Sequence, residues 1–169
     1  MVWARLLVLA ACASCASSAA ETRPVAPPRI IVESIRCYVL QPVQFARGAA
    51  TMAADSEAVV DALARPMIDD PKQFVLVELS GHASNDEPHP STLAHQRATA
   101  LRDALVARGV DASRLRAKGY GAHCTQRDSP SDAEAAFKDR RVEIRVLRTL
   151  DGETGAEVGC PAARTAGAE

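Results

Sequence analysis

Hydrophobic positions recur with two periods along this chain, and the switches between them mark its elements. Polar and apolar residues alternate from Arg141 to Leu147 through Val142, Ile144 and Val146, the pattern of a β-strand with one buried face. Phe74–Leu79 is a second strand, ended by Ser80-Gly81, and Leu115–Lys118 a short third before Gly119-Tyr120-Gly121. Ile30–Val32 and Cys37–Phe45 are β-rich, with Pro42 demoting the second run to an edge or bulge. Val59, Val60, Leu63 and Met67 are spaced instead for a helix opened by Asp55 or Ser56 and running through Ile68, which Pro66 is expected to kink or shorten. A polar loop, His82–Ser91, precedes a long helix from about Thr92 to Arg108, stopped by Gly109. Ser131-Asp132-Ala133-Glu134 is a capping-box pattern for a short helix to Lys138. The order β-α-β-α-β-(α)-β predicts an α/β (α+β) two-layer sandwich, a mixed sheet with helices packed on one face.

The N-terminus follows another logic. Arg5 precedes an apolar, small-residue run, Leu6–Ala20, too short to span a ~30 Å hydrocarbon core and suited to an export signal. Leu9-Ala10-Ala11-Cys12 resembles the bacterial lipobox, in which the cysteine thiol is acylated and becomes the new N-terminus. The alternative is an ordinary signal cut near Ala19 or Ala20, which leaves a soluble periplasmic protein. With acylation, Ala13 after Cys12 resembles sorting to the outer membrane. The expected organisation is signal and lipobox over 1–20, a flexible Pro-containing tether over 21–29, a folded domain over 30–150 and a C-terminal extension over 151–169.

Composition then narrows the function classes. Of 169 residues 47% are hydrophobic and 24% charged, as in a chain with one core to bury. Twenty basic against 21 acidic residues leave a net charge of −1, with no basic excess for a nucleic-acid partner.

Three blocks resemble the OmpA-like C-terminal domain, which also occurs in peptidoglycan-associated lipoproteins. Val77-Glu78-Leu79-Ser80-Gly81-His82 is similar to the strand entering that family's Gly-His-Thr-Asp block. Leu93-Ala94-His95-Gln96-Arg97-Ala98 resembles its Leu-Ser-x-x-Arg-Ala helix, and Asp139-Arg140-Arg141-Val142-Glu143 its Asn/Asp-Arg-Arg-Val-Glu signature. The likeness covers about residues 37–148. It implies non-covalent binding of peptidoglycan, with a stem residue, commonly diaminopimelate, held through its ammonium by an aspartate and through its carboxylate by the arginine at Arg97. It implies no cofactor and no enzymatic activity. The helical wheel agrees that Arg97 is special, because it falls on the packed face with Leu93, Ala94, Leu101 and Leu105. A cation there requires an anion. An internal salt bridge, for instance to Asp86 or Asp139, remains the alternative to a ligand.

The acidic half of the implied site is altered. Ser84 stands at the aspartate position in Gly81-His82-Ala83-Ser84, and Phe45-Ala46 replaces a Phe-Asp pair. Asp86 is the candidate to restore the charge, with Asn85 adding a donor and an acceptor; Asp139 and Arg141 are candidate secondary contacts. The second functional reading is therefore a scaffold of the same fold for contact with envelope proteins, without wall binding. A third, a metal-dependent envelope hydrolase, would draw on His82, His89, His95 and Asp86, but His95 falls opposite the buried helical face and no metal is expected. Export permits disulfides. Cys124 with Cys160 is the first pairing, Cys37 the alternative partner for either, and Cys15, three residues past Cys12, a free thiol.

Overall fold

The computed structural model describes residues 42–52, 55–125 and 133–159. Its strands are β1 (Val43–Gln44), β2 (Leu76–Gly81), β3 (Leu115–Gly119), β4 (Arg141–Thr149) and β5 (Gly152–Glu153); its helices are α1 (Ser56–Asp69), α2 (Pro90–Ala107) and α3 (Ala133–Asp139). They form a five-stranded mixed sheet in the order β1-β4-β2-β3, with β5 folding back on β4. β2 and β3 are parallel, with Val77 opposite Leu115 and Gly81 opposite Gly119, and β2 and β4 are antiparallel, with Leu79 opposite Ile144. The expected mixed sheet with helices on one face is what forms. The capping residues Ser131 and Asp132, the run Ile30–Val32, Cys12 and Cys160 lie outside the described residues.

Strand alternation gives the sheet two unlike faces. Val77, Leu79, Val142, Ile144 and Val146 turn inward onto Val60, Leu63 and Met67 of α1 and Ala98, Leu101 and Leu105 of α2, forming the core. Each such large side chain contributes about 1.5–3 kcal/mol on burial. The alternate residues, Glu78, Ser80, Arg116, Lys118, Glu143 and Arg145, occupy the outer face.

Several boundaries differ from the expectation, three of them near the helices and the strand end that frame the site. α1 runs to Asp69 with Pro66 inside it. Pro66 cannot donate to the carbonyl of Ala62, but the buried contacts of Leu63, Ala64 and Met67 on either side of it keep this turn on the sheet. β2 continues through Ser80 to Gly81 rather than ending before them. α2 begins at Pro90, whose missing N–H is harmless in a first turn. Gly109, with φ of +99°, ends α2 as expected.

Gly81 accounts for the closeness of the layers at one end. A Cβ there would stand 2.0 Å from the Ala94 carbonyl oxygen, so α2 can lie on β2 at this point only because the side chain is a hydrogen. That approach brings the first turns of α2, and Arg97 with them, to the carboxyl end of β2.

Candidate functional site

Arg97 is wholly buried, and each of its five N–H groups has an acceptor. Nε donates to the Ala49 carbonyl at 3.0 Å, and Nη1 and Nη2 donate to the His82 and Ala46 carbonyls at 3.1 and 2.9 Å. The two remaining donors form a fork on Glu87, at 2.9 Å to Oε2 and 2.6 Å to Oε1. Phe45, 5.7 Å from the guanidinium carbon, closes the pocket with its ring.

Glu87 is bound from its other side too. Gly48 N–H donates to Oε1 at 2.7 Å and Ser84 N–H to Oε2 at 2.9 Å. Burial by itself would raise this carboxyl's pKa, but hydrogen bonds from Arg97, Gly48 and Ser84 hold it below the ordinary glutamate value. The pair is thus a charge-assisted, bidentate contact with no donor left over. Chemically, Arg97 and two backbone N–H groups converge as a receptor for one carboxylate, and Glu87 fills it.

The internal salt bridge left open above therefore exists, with Glu87 as the acid rather than Asp86 or Asp139. Asp86 turns outward to an exposed contact with Arg47 at 3.1 Å and accepts from the Ser84 hydroxyl. Ser84 is buried and contributes its backbone N–H, and Asn85 is exposed. Arg141 lies on the opposite face of the sheet, donating to Glu143 at 2.8 and 2.5 Å, with Asp139 3.8 Å away. The fold thus brings Arg97 and Ser84 together and sends Asp86, Asp139 and Arg141 elsewhere. Sequence reasoning missed Glu87. Its signal was the spacing Ser84-x-x-Glu87, in which an acid three residues on reaches back to a backbone N–H, as in a capping box.

The outer face holds a second buried polar group. Glu78 accepts from Tyr120 Oη at 2.7 Å, from Ser80 Oγ at 2.9 Å and from Arg116 at 2.6 and 3.0 Å. Burial, then Glu78, push the Tyr120 phenol well above its ordinary pKa. His82 stacks on Tyr120 at 5.8 Å, with Nε2 3.8 Å from Glu143 Oε1. Burial first, then Arg141, lower its pKa to about 3, so the ring is neutral. His89 and His95 are exposed on α2 and its entry, and among the described residues no group of three His, Cys, Asp or Glu side chains is placed to hold a metal. The chain after β5 covers part of this face: Arg145 donates to the Glu157 and Gly159 carbonyls, and Gly159 packs on the Tyr120 ring.

Residues 44–140 match the OmpA family. The chain belongs to the OmpA family. Among solved structures, the peptidoglycan-associated lipoprotein from Burkholderia pseudomallei is 19% identical, with a TM-score of 0.57 over 62% of this chain and 87% of that one. The C-terminal domain of Helicobacter pylori MotB is 25% identical, with a TM-score of 0.53 over 61% of this chain and 81% of its own. The OmpA-like domain of FopA1 from Francisella tularensis subsp. tularensis SCHU S4 is 22% identical, with a TM-score of 0.51 over 62% and 69%. No curated protein matches the chain significantly.

Proposed function

We propose that this OmpA-family domain binds peptidoglycan non-covalently through a carboxylate of the stem peptide, taken by Arg97, and so links the envelope membrane to the wall. The observation that carries this is the carboxylate receptor itself: a guanidinium fork and the Gly48 and Ser84 N–H groups aimed at one anion. A bidentate fork on a rigid helix suits recognition of a planar carboxylate. The role is binding rather than catalysis. The expected ligand is a diaminopimelate-type stem, the anchor is acylation at Cys12 facing the periplasm from the outer membrane, and the expected brace of the C-terminal extension is a Cys124–Cys160 disulfide. That brace is supported by the packing of Gly159 on Tyr120, four residues from Cys124 along the chain.

The scaffold reading is favoured by a different observation, the complete saturation of Arg97 within the chain. Co-sedimentation of the purified chain with insoluble peptidoglycan separates the two. Retention that survives moderate salt and is lost in Arg97→Lys, which keeps the charge but not the fork, supports wall binding. A chain that stays in the supernatant is a scaffold.

A further inference from the structure

The receptor is occupied by the chain's own acid, and the two halves of the pair are mounted differently. Arg97 sits on α2, locked by Leu93, Ala94 and Leu101 against the sheet, whereas Glu87 sits in the short loop between β2 and α2. Only the acid can leave without disturbing the core. Besides the Gly48 N–H bond to Glu87, two ion pairs clasp its loop: the buried one on Arg97, and an exposed one between Asp86 and Arg47, whose side chains are 43% and 66% accessible. The loop ends at His89, which has φ 48° and ψ 57°. It is the one non-glycine residue with positive φ among those described, and it precedes Pro90. Left-handed backbone is unfavourable for a residue with a Cβ, and proline further biases its predecessor toward extended conformations. Loop opening would relieve that strain at a hinge next to the moving segment.

We propose that Glu87 is an intramolecular latch: its carboxylate mimics the ligand's, keeps the Arg97 receptor closed in the free protein, and swings out with residues 85–88 about His89 when a stem-peptide carboxylate takes its place. This deepens the wall-binding reading and rests on it. Because the incoming carboxylate inherits the same donors, the exchange is nearly balanced at Arg97, and apparent affinity is set by the fraction of chains with the loop open. A minor state of about 1–10% weakens binding about 10- to 100-fold relative to an unlatched receptor. The latch makes wall attachment conditional on whatever favours the open loop.

The test compares retention on insoluble peptidoglycan by the full chain and its Glu87→Gln, Arg47→Ala and Arg97→Lys variants. Glutamine keeps the shape of Glu87 but turns an amide toward N–H donors, so Glu87→Gln should bind about tenfold tighter or more. Arg47→Ala, which removes only the surface clasp, should bind about twofold tighter, and Arg97→Lys should lose retention. Unchanged or weaker binding by Glu87→Gln, with loss in Arg97→Lys intact, overturns the latch and leaves the receptor standing. Equal retention by Arg97→Lys, or no retention by any chain, overturns both. A wild-type measurement covers the case in which Glu87→Gln does not fold. With a soluble diaminopimelate-containing stem peptide bound, amide exchange at residues 85–87 should quicken if the latch opens; slower or unchanged exchange there overturns it.

Discussion

Two buried carboxylates lie on opposite faces of the same sheet, and they are held by different means. On the helix side, Glu87 faces one fully buried guanidinium whose donors are all used, and the acid is supplied by a loop. On the outer side, Glu78 belongs to a central strand and is satisfied from three side chains, one of them the half-exposed Arg116. The first is a closed pair with one movable partner; the second is a network whose acid cannot move and whose cation is partly solvated. Burial of a charge by itself therefore does not identify a binding site. What distinguishes the Arg97 side is that the acid can be exchanged for another while the receptor stays in place.

Removing the cation from the closed pair should show the largest effect. Arg97→Ala strands Glu87 in the interior and should lower unfolding free energy by about 3–5 kcal/mol, read from urea melts. An effect under about 1 kcal/mol would mean that water reaches the pair freely. Tyr120→Phe removes one of the three side chains on Glu78 and should cost about 2 kcal/mol, because a buried carboxylate loses one hydrogen bond while keeping the others.

Acid should reveal the same contrast by another route. The unfolded chain protonates His82 near pH 6.5, whereas the folded ring, facing Arg141, Glu143, Arg145 and Tyr120, does so only at about 3. The unfolded state thus binds more protons in that interval, so His82's contribution is complete above pH 6.5 and declines as pH falls, by at most about 1.4 kcal/mol per unit. Glu143, brought down to about 2 by Arg145 and Arg141 against the opposing effect of burial, and Glu87, lowered chiefly by Arg97 against the same opposition, lose stability only below about pH 4.5. Midpoints measured from pH 6.5 to 4.5 should fall in the wild type and flatten in His82→Phe; an equal slope in both would place the acid sensitivity elsewhere. The smallest effect belongs to the surface clasp. Arg47→Ala should change stability by under about 0.5 kcal/mol, since both partners are exposed.

Much of this fold is legible along the chain because its signals are local. The alternation beginning at Arg141 became β4, the spacing of Val60, Leu63 and Met67 became the buried face of α1, and the wheel placed Arg97 inward. Pro66 points to a kink or an early end when only its neighbours are considered, because they do not tell whether packing on the sheet carries the helix past the hydrogen bond that proline removes. The site was half legible. Arg97 had a position on a periodic face, but its acid came from a loop with no period, where Asp86 and Glu87 are adjacent and chemically almost equivalent.

Helical and strand periods are written in neighbouring residues, so the layered α/β fold and a buried arginine that needs an anion are legible along the chain, and the three motif blocks add the family. Which acid answers the arginine depends on contacts between residues far apart in the chain. Gly81 lets α2 approach β2, the loop turns Asp86 to Arg47 and Glu87 to Arg97, and the choice between two neighbouring carboxylates follows from where the backbone N–H groups of Gly48 and Ser84 point.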